Sequence, residues 1–339
     1  MPACNHLIFG AGLIGSYLAG CFIQSGTKVS LVERKNAQES FANGFTLSDY
    51  EDNHHQSAQS PSFINANDNN SFDIVWLGVK CNSVKITIEE LRPFINPSSI
   101  IICCQNGFGS EQSIIDAFPD NEVLCAVVGF NVAQINTGHW HRSTQGALVI
   151  EKNDTQSDRL NHLEKQISSD LLPVRLSSQI EAERWAKLQL NLANAVNALA
   201  DIPIKQMLES RAYRLIIAQL MNELLEVTGA LSLSLPKVSA VHGKTIPFLM
   251  RLPDFIFTRI AQKMLAIDPL ARTSMWHDLN QKKQTEIDFI NGAVSDKAKE
   301  LNIKTPVNDH LIKLVKAVER GDEQVGFPAH ELLTRLGLK

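Results

Sequence analysis

Residues 6–15 read HLIFGAGLIG: a short apolar run leads straight into Gly10, Gly12 and Gly15, and an apolar-periodic segment continues to about Gln24. This is the pattern of a strand, a tight turn and a helix. In a dinucleotide-binding unit the first glycine makes the turn, the second lets the backbone approach a pyrophosphate, and the third lets helix pack close to strand. The helix N-terminus adds N–H donors and the positive end of its dipole. Gly10, Ala11, Gly12, Leu13, Ile14 and Gly15 are therefore read as a cofactor-binding loop. A second strand, 28–33 (KVSLVE), ends in Glu33, about 20 residues past the loop, where such units carry a residue that reaches the adenosine ribose. A glycine-tolerant turn with no ligand is the competing reading; the flanking strand, helix and charged tip weigh against it.

A chain of 339 residues is long for a single core and defaults to two domains. Its net charge is −4, with acidic and basic residues interspersed. No basic run offers a surface for nucleic acid or an anionic membrane, so the expected partner is a small molecule. The cysteines, Cys4, Cys21, Cys81, Cys103, Cys104 and Cys125, fall mostly in apolar runs. No paired C-x-x-C motifs suggest zinc and no spacing suggests a disulfide framework, so they read as reduced core thiols with no metal site. There is no signal-peptide pattern, and no apolar run reaches the 18 or so residues that span a bilayer; a cytoplasmic protein is expected.

The tip of the second strand decides the cofactor. A carboxylate such as Glu33 binds the ribose 2′-hydroxyl of NAD, whereas an arginine such as Arg34 accommodates the 2′-phosphate of NADP. Adjacent strand residues face opposite ways, so one of the two serves; with Lys35 adding positive charge, NADP (NADPH) is favoured and NAD is the alternative. Residues 36–70 are polar, with brief strand-like pieces near 44–47 and 62–64, and predict an irregular, partly mobile excursion. His54 and His55 within it read as solvated. The runs 72–79 (FDIVWLGV) and 99–104 (SIIICC) are continuous and apolar, as in parallel strands buried on both faces. They end in Lys80 and in Gln105, Asn106 and Gly107. Ligands of open α/β sheets bind at such carboxyl ends, which makes Lys80 and Asn106 candidates for cofactor or substrate contact. A further strand over 123–130 and pieces near 137–140 and 147–150 extend this sheet; a helix over 158–168 and a strand over 173–176 follow. From about residue 180 strand signals stop. The boundary is set there, giving 1–177 as the dinucleotide-binding domain and 178–339 as a helical domain.

Residues 181–200 (EAERWAKLQLNLANAVNALA) predict one strong helix with Trp185, Leu188, Leu192, Val196 and Leu199 on its apolar face. Lys187, Asn191 and Asn194 stand at i, i+4 and i+7, a narrow stripe at 100° per residue. They read either as the lining of a cleft beside the cofactor domain or as the solvated side of an amphipathic helix.

With these residues in hand the sequence resembles the ketopantoate reductase (2-dehydropantoate 2-reductase) family over nearly its whole length. The resemblance is carried by GAGLIG at 10–15, Arg34, GVK at 78–80, QNGFGS at 105–110, WAKLQLN at 185–191 and SMWHDLNQKKQTEIDFING at 274–292. It implies an α/β fold: an N-terminal Rossmann dinucleotide-binding domain followed by an all-helical C-terminal domain. It also implies NADPH-dependent reduction of a 2-keto acid, 2-dehydropantoate to (R)-pantoate in pantothenate biosynthesis. The family's cofactor residues fall on the glycine loop, Arg34, Lys80 and Asn106. Its proton donor falls on Lys187, and its substrate-holding residues on Asn106, Asn191 and Ser274. Glu286, twelve residues after Ser274 as in the family, matches the glutamate that contacts the nicotinamide end and orders the site. Where the family often has a second asparagine, eight residues after the lysine, this chain has Ala195, with Asn194 one place earlier as its replacement. That departure keeps another 2-keto or 3-hydroxy acid open as the substrate. A non-catalytic NADP-sensing module is the rival of a different kind. The apolar stretch 248–265 (FLMRLPDFIFTRIAQKML) reads as a reshaped pocket mouth or as the contact of a homodimer.

The chemistry is consistent with these residue types. Reducing a ketone needs a hydride donor at the carbonyl carbon and an acid at the oxygen, where alkoxide develops. A desolvated lysine ammonium gives up its proton more readily, and a nearby carboxylate opposes that change; Lys187 and Glu286 read as such a pair.

Overall fold

The computed structural model describes residues 4–32, 35–65, 68, 70–237, 241–262, 265 and 268–338, with backbone alone at 35 and 36. The chain divides into two compact units, the first running through Glu181 and the second from Ala182.

Strands of the first unit, in chain order, are β1 (His6–Phe9), β2 (Val29–Val32), β3 (Phe45–Asp49), β4 (His54–Ser57), β5 (Ser62–Ile64), β6 (Phe72–Leu77), β7 (Ile95–Cys103), β8 (Glu122–Val128), β9 (Val132–Asn136), β10 (His139–Arg142), β11 (Leu148–Glu151) and β12 (Val174–Ser177). Between them lie α1 (Leu13–Gln24), α2 (Lys35–Phe41), α3 (Val84–Leu91), α4 (Ser110–Ala117) and α5 (Ser157–Ile167). The main sheet has the order β12-β11-β8-β7-β6-β1-β2-β5. From β5 to β8 every pairing is parallel, and β11 is antiparallel to β8. From β1 the chain winds outward through β2 to β5, then returns to β6 on the other side of β1, so the winding reverses beside β1.

The apolar runs are continuous because both faces of the sheet are covered. Ile8, Ile74, Trp76, Ile100 and Ile102 enter one core with Tyr17, Leu18 and Phe22 of α1. Their strand neighbours Leu7, Phe9, Val75, Leu77 and Ile101 enter a second core with Val84, Ile88 and Leu91 of α3. The period-two alternation of a strand divides each run between the two cores.

Two expectations need correction. The excursion 36–70 is less irregular than expected, carrying α2 and β4 besides the strands near 44–47 and 62–64, and the piece near 137–140 does not extend the main sheet. Instead β3 and β4 pair with β9 and β10 in a separate four-stranded sheet of order β4-β3-β10-β9. Phe41, Phe45, Leu47 and Trp140 bury one face of this sheet in the core shared with α1, and Phe41 and Trp140 lie ring to ring at 4.6 Å. At its end the buried pair Asp49–Arg142 closes at 2.6 Å. Arg142 also donates to the carbonyls of Gly146 (3.2 Å) and Asp170 (2.8 Å). Burial pushes the Asp49 carboxyl up, but bonds from Asn53, Arg142 and Glu51 outweigh it and hold the pKa down at about 2. Cys21, Cys81, Cys103 and Cys104 are buried, and Cys4 and Cys125 are half-buried.

The second unit contains helices. The segment predicted as one helix is α6 (Ile180–Asn191) and α7 (Ala193–Ala200). They are interrupted only at Leu192, whose backbone stays in the right-handed helical region and whose N–H still reaches Leu188 O at 3.1 Å. There follow α8 (Ile204–Glu209), α9 (Arg211–Ala230), α10 (Ile246–Met250), α11 (Asp254–Ile260), α12 (Ser274–Asn280), α13 (Asn291–Glu300), α14 (Pro306–Arg320) and α15 (Ala329–Arg335). The twenty-residue α9 is central, touching α7, α8, α10, α13, α14 and α15. Its buried Glu223 accepts bonds from the backbone N–H groups of Val307 (2.9 Å) and Asn308 (3.0 Å). A carboxylate on one helix thus satisfies the open donors at the start of another. Among the described residues, no helix is long and apolar enough to cross a membrane.

Candidate active site

Register aligns the strand ends that matter. Phe9 pairs with Leu77, Leu77 with Cys103, and Cys103 with Cys125, so Gly10, Gly78–Lys80 and Gln105–Gly107 emerge along one edge of the sheet, at the point where the winding reverses. Gly10 has φ 114°, and a Cβ there would lie 2.7 Å from backbone atoms of Gly78 and Val79. A Cβ on Gly15 would lie 2.0 Å from Gly10 O; strand and helix come too close there for any side chain. Gly12 differs. A Cβ on it would meet nothing within 4 Å, and it occupies the N-cap of α1, where as a glycine it brings no capping side chain. Ala11, Leu13 and Ile14 complete the loop, with Leu13 exposed. A helix start bordered by open space at a glycine suits the pyrophosphate of a dinucleotide.

Lys80 is exposed at the end of β6, and Asn106 is half-buried beyond β7. The two loops are joined by the Cys81 thiol, which donates to Asn106 O at 3.0 Å. Sequence reasoning took Cys81 for a core thiol and missed this link, because the partner lies 25 residues away. It also gave no role to Gln105, whose side-chain amide is buried with neither polar atom hydrogen-bonded among the described residues; its position at a strand end was the available signal. Glu33 and Arg34, on which the choice between NAD and NADP was read, lie outside the described residues.

The second unit carries the remaining candidates. Trp185, Leu188, Leu192, Val196 and Leu199 are each 1% exposed or less, while Lys187, Asn191 and Asn194 are half-buried along one stripe of α6 and α7. Ala195 is fully buried in the core, so of the two positions Asn194 is the accessible one. Ser274 is the exposed first residue of α12. The preceding Thr273 caps that helix by accepting from Trp276 N at 3.3 Å, and its hydroxyl donates to Asn194 O at 3.3 Å. Ser274 is thereby fixed next to the Asn194 end of the stripe. Glu286 is buried in the turns between α12 and α13, within a segment pinned to α14. Thr285 donates to Glu319 from both its N–H and its hydroxyl at 2.7 Å, and Asp288 pairs with Lys316 at 2.5 Å. Among the described residues, no group of three or more His, Cys, Asp or Glu side chains could hold a metal ion.

A mostly parallel sheet of this order, with a glycine loop running into a helix N-terminus and a helical second unit, defines a dinucleotide-binding protein of the Rossmann class. The chain belongs to the ketopantoate reductase PanE/ApbA family: residues 6–155 match the family itself and residues 179–319 its C-terminal region. It is accordingly an oxidoreductase. Among relatives, an uncharacterized oxidoreductase, YkpB, of Bacillus subtilis is 26% identical over 89% of this chain and 95% of its own. A 2-dehydropantoate 2-reductase of Vibrio cholerae is 24% identical over 93% and 98%. A PanE/ApbA family ketopantoate reductase from Ralstonia eutropha has the same fold, with a TM-score of 0.76 at 24% identity over 94% of this chain and all of the other. So does a D-mandelate dehydrogenase solved with NADH and anilino(oxo)acetate, with a TM-score of 0.75 at 21% identity over 94% and 99%.

Proposed function

We propose that the protein reduces a 2-keto acid with NADPH, taking 2-dehydropantoate to (R)-pantoate, a step of pantothenate biosynthesis in the cytoplasm. The observation that carries this reading is the half-buried stripe Lys187–Asn191–Asn194, with Thr273 bonded to Asn194 O so that the start of α12, where Ser274 stands, is held at its end. A cation, two amides and a hydroxyl are the groups needed to receive a carbonyl oxygen and hold a carboxylate.

In this reading Gly10, Ala11, Gly12, Leu13, Ile14 and Gly15 hold the pyrophosphate, with Lys80 and Asn106 at the adjoining strand ends. Arg34 takes the 2′-phosphate. When bound, NADPH supplies the hydride to the carbonyl carbon. Lys187 donates a proton to the carbonyl oxygen, so the C=O becomes CH–OH and no charge is left on the product alcohol. Asn191 and Asn194 orient the substrate by hydrogen bonds, Ser274 binds its carboxylate, and Glu286 orders Lys187 and the nicotinamide end. Lys187→Ala is expected to lower turnover by about 10²–10⁴-fold, the range of a lost general acid, while NADPH affinity, read by fluorescence titration, stays unchanged. Near-normal turnover in that variant would remove Lys187 from the mechanism.

A second reading has its own support. Ala195 is a core residue, so the amide that the family often carries at that position is missing, and a D-mandelate dehydrogenase shares the fold. On this reading the substrate is another 2-keto acid, with NADH in place of NADPH.

A further inference from the structure

Asn197 is fully buried, and both ends of its amide are used. Nδ2 donates to Ile202 O at 2.7 Å, and Oδ1 accepts from Thr273 N at 3.1 Å. The first bond holds the chain as it leaves α7; the second reaches across 76 residues to the one immediately before Ser274. Other bonds join the same two segments. Thr273 Oγ1 donates to Asn194 O, Trp276 Nε1 donates to Asp201 Oδ1 at 2.6 Å, and Ile204 N donates to Ala271 O at 3.0 Å. Arg272 adds its charge, with Nη1 3.5 Å from the same Asp201 oxygen and its guanidinium 4.8 Å above the Trp276 ring.

A fully buried amide is unfavourable unless its polar groups are paired, and a position that only filled space would suit an apolar side chain. Asn197 spends its pairing on two backbone groups, one on each segment. We propose that Asn197 is a positioning residue for the keto acid site: by holding Thr273 N–H it sets the backbone of the α12 start and so fixes the Ser274 hydroxyl beside Asn194. This rests on the reading of Ser274 as the group that binds the substrate carboxylate.

The test is a double-mutant cycle on the full-length enzyme, with Asn197→Ala, Ser274→Ala and the pair, reading KM for the keto acid, kcat, NADPH affinity and thermal midpoint. Ser274→Ala is expected to raise KM. Asn197→Ala is expected to raise it by about tenfold, as for one lost productive contact, with NADPH affinity unchanged. In the Ser274→Ala background the effect of Asn197→Ala on KM should vanish, although its effect on the thermal midpoint persists. Equal KM effects in both backgrounds would show that Asn197 acts on the fold generally and would overturn the proposal alone. An unchanged KM in Ser274→Ala would overturn the reading of Ser274, and this proposal with it. If Asn197→Ala does not fold, the cycle is run with Asn197→Leu, which fills the space and makes neither hydrogen bond.

Discussion

The glycines of the loop differ in what surrounds them. At Gly15 a methyl group would be driven into Gly10 O, whereas at Gly12 it would enter space that no protein atom occupies. Gly15→Ala should therefore destabilise the fold by roughly 1–3 kcal/mol, the usual effect of overpacking. Gly12→Ala should keep stability within about 1 kcal/mol. Its methyl would crowd the pyrophosphate, lowering NADPH affinity by about tenfold or more, ~1.4 kcal/mol. Thermal unfolding and cofactor titration of the two variants check this. Equal behaviour of the two, in either measurement, would mean that the loop is a packing device only. The spacing of the three glycines was legible in the sequence; the difference between them was not, because it depends on how closely β1, β6 and α1 approach. The same limit holds at Asn197. The stripe Lys187–Asn191–Asn194 follows from the period of one helix, but the bond from Thr273 to Asn197 joins positions 76 apart and leaves no local pattern.

Among the elements, β1 carries a titratable group into the core against β6. His6 is 1% exposed and accepts a hydrogen bond from Trp76 Nε1 at 3.2 Å. Burial lowers its pKa to about 4, against a smaller opposing effect of Asp73. The folded chain thus refuses a proton that the unfolded chain, titrating near 6.5, accepts. Its stabilising contribution is complete above pH 6.5 and is lost as pH falls from 6.5 toward 4, in all about 3 kcal/mol. His139 of β10 acts in the same direction: burial lowers its pKa, and the neighbouring His141 and His54 lower it further. Urea unfolding at pH 7.5 and pH 4.5 should show this loss, and His6→Gln, which keeps an acceptor for Trp76, should remove most of it. An unchanged pH dependence in His6→Gln would assign the acid sensitivity elsewhere. The sheet that carries His139 also shows where sequence reading failed at this scale. Its strands are short and polar, its apolar content is confined to a few residues such as Phe45, Leu47 and Trp140, and β3 meets β10 from 93 positions away. The strands of the main sheet, by contrast, were readable because burial on both faces leaves uninterrupted apolar runs.

For the molecule as a whole, the α/β unit followed by a helical unit was legible from the point at which strand signals stop. The cofactor preference was less so, since the sequence sets a carboxylate, Glu33, directly beside an arginine, Arg34, and the two residue types favour different cofactors. The apolar stretch of the second unit leaves Phe248, Phe255 and Ile260 59–76% exposed, and we read this surface as the contact of a homodimer. Sedimentation velocity should give a dimer that Phe255→Asp dissociates; a monomeric parent protein would contradict that reading. The central claim, that the chain is a reductase of a 2-keto acid, is tested most directly by following NADPH oxidation with 2-dehydropantoate, in parallel with phenylglyoxylate and other 2-keto acids and with NADH. The account predicts saturable turnover that is fastest with 2-dehydropantoate and NADPH. Tight cofactor binding with no turnover of any 2-keto acid would contradict it and leave a protein that only senses the nucleotide.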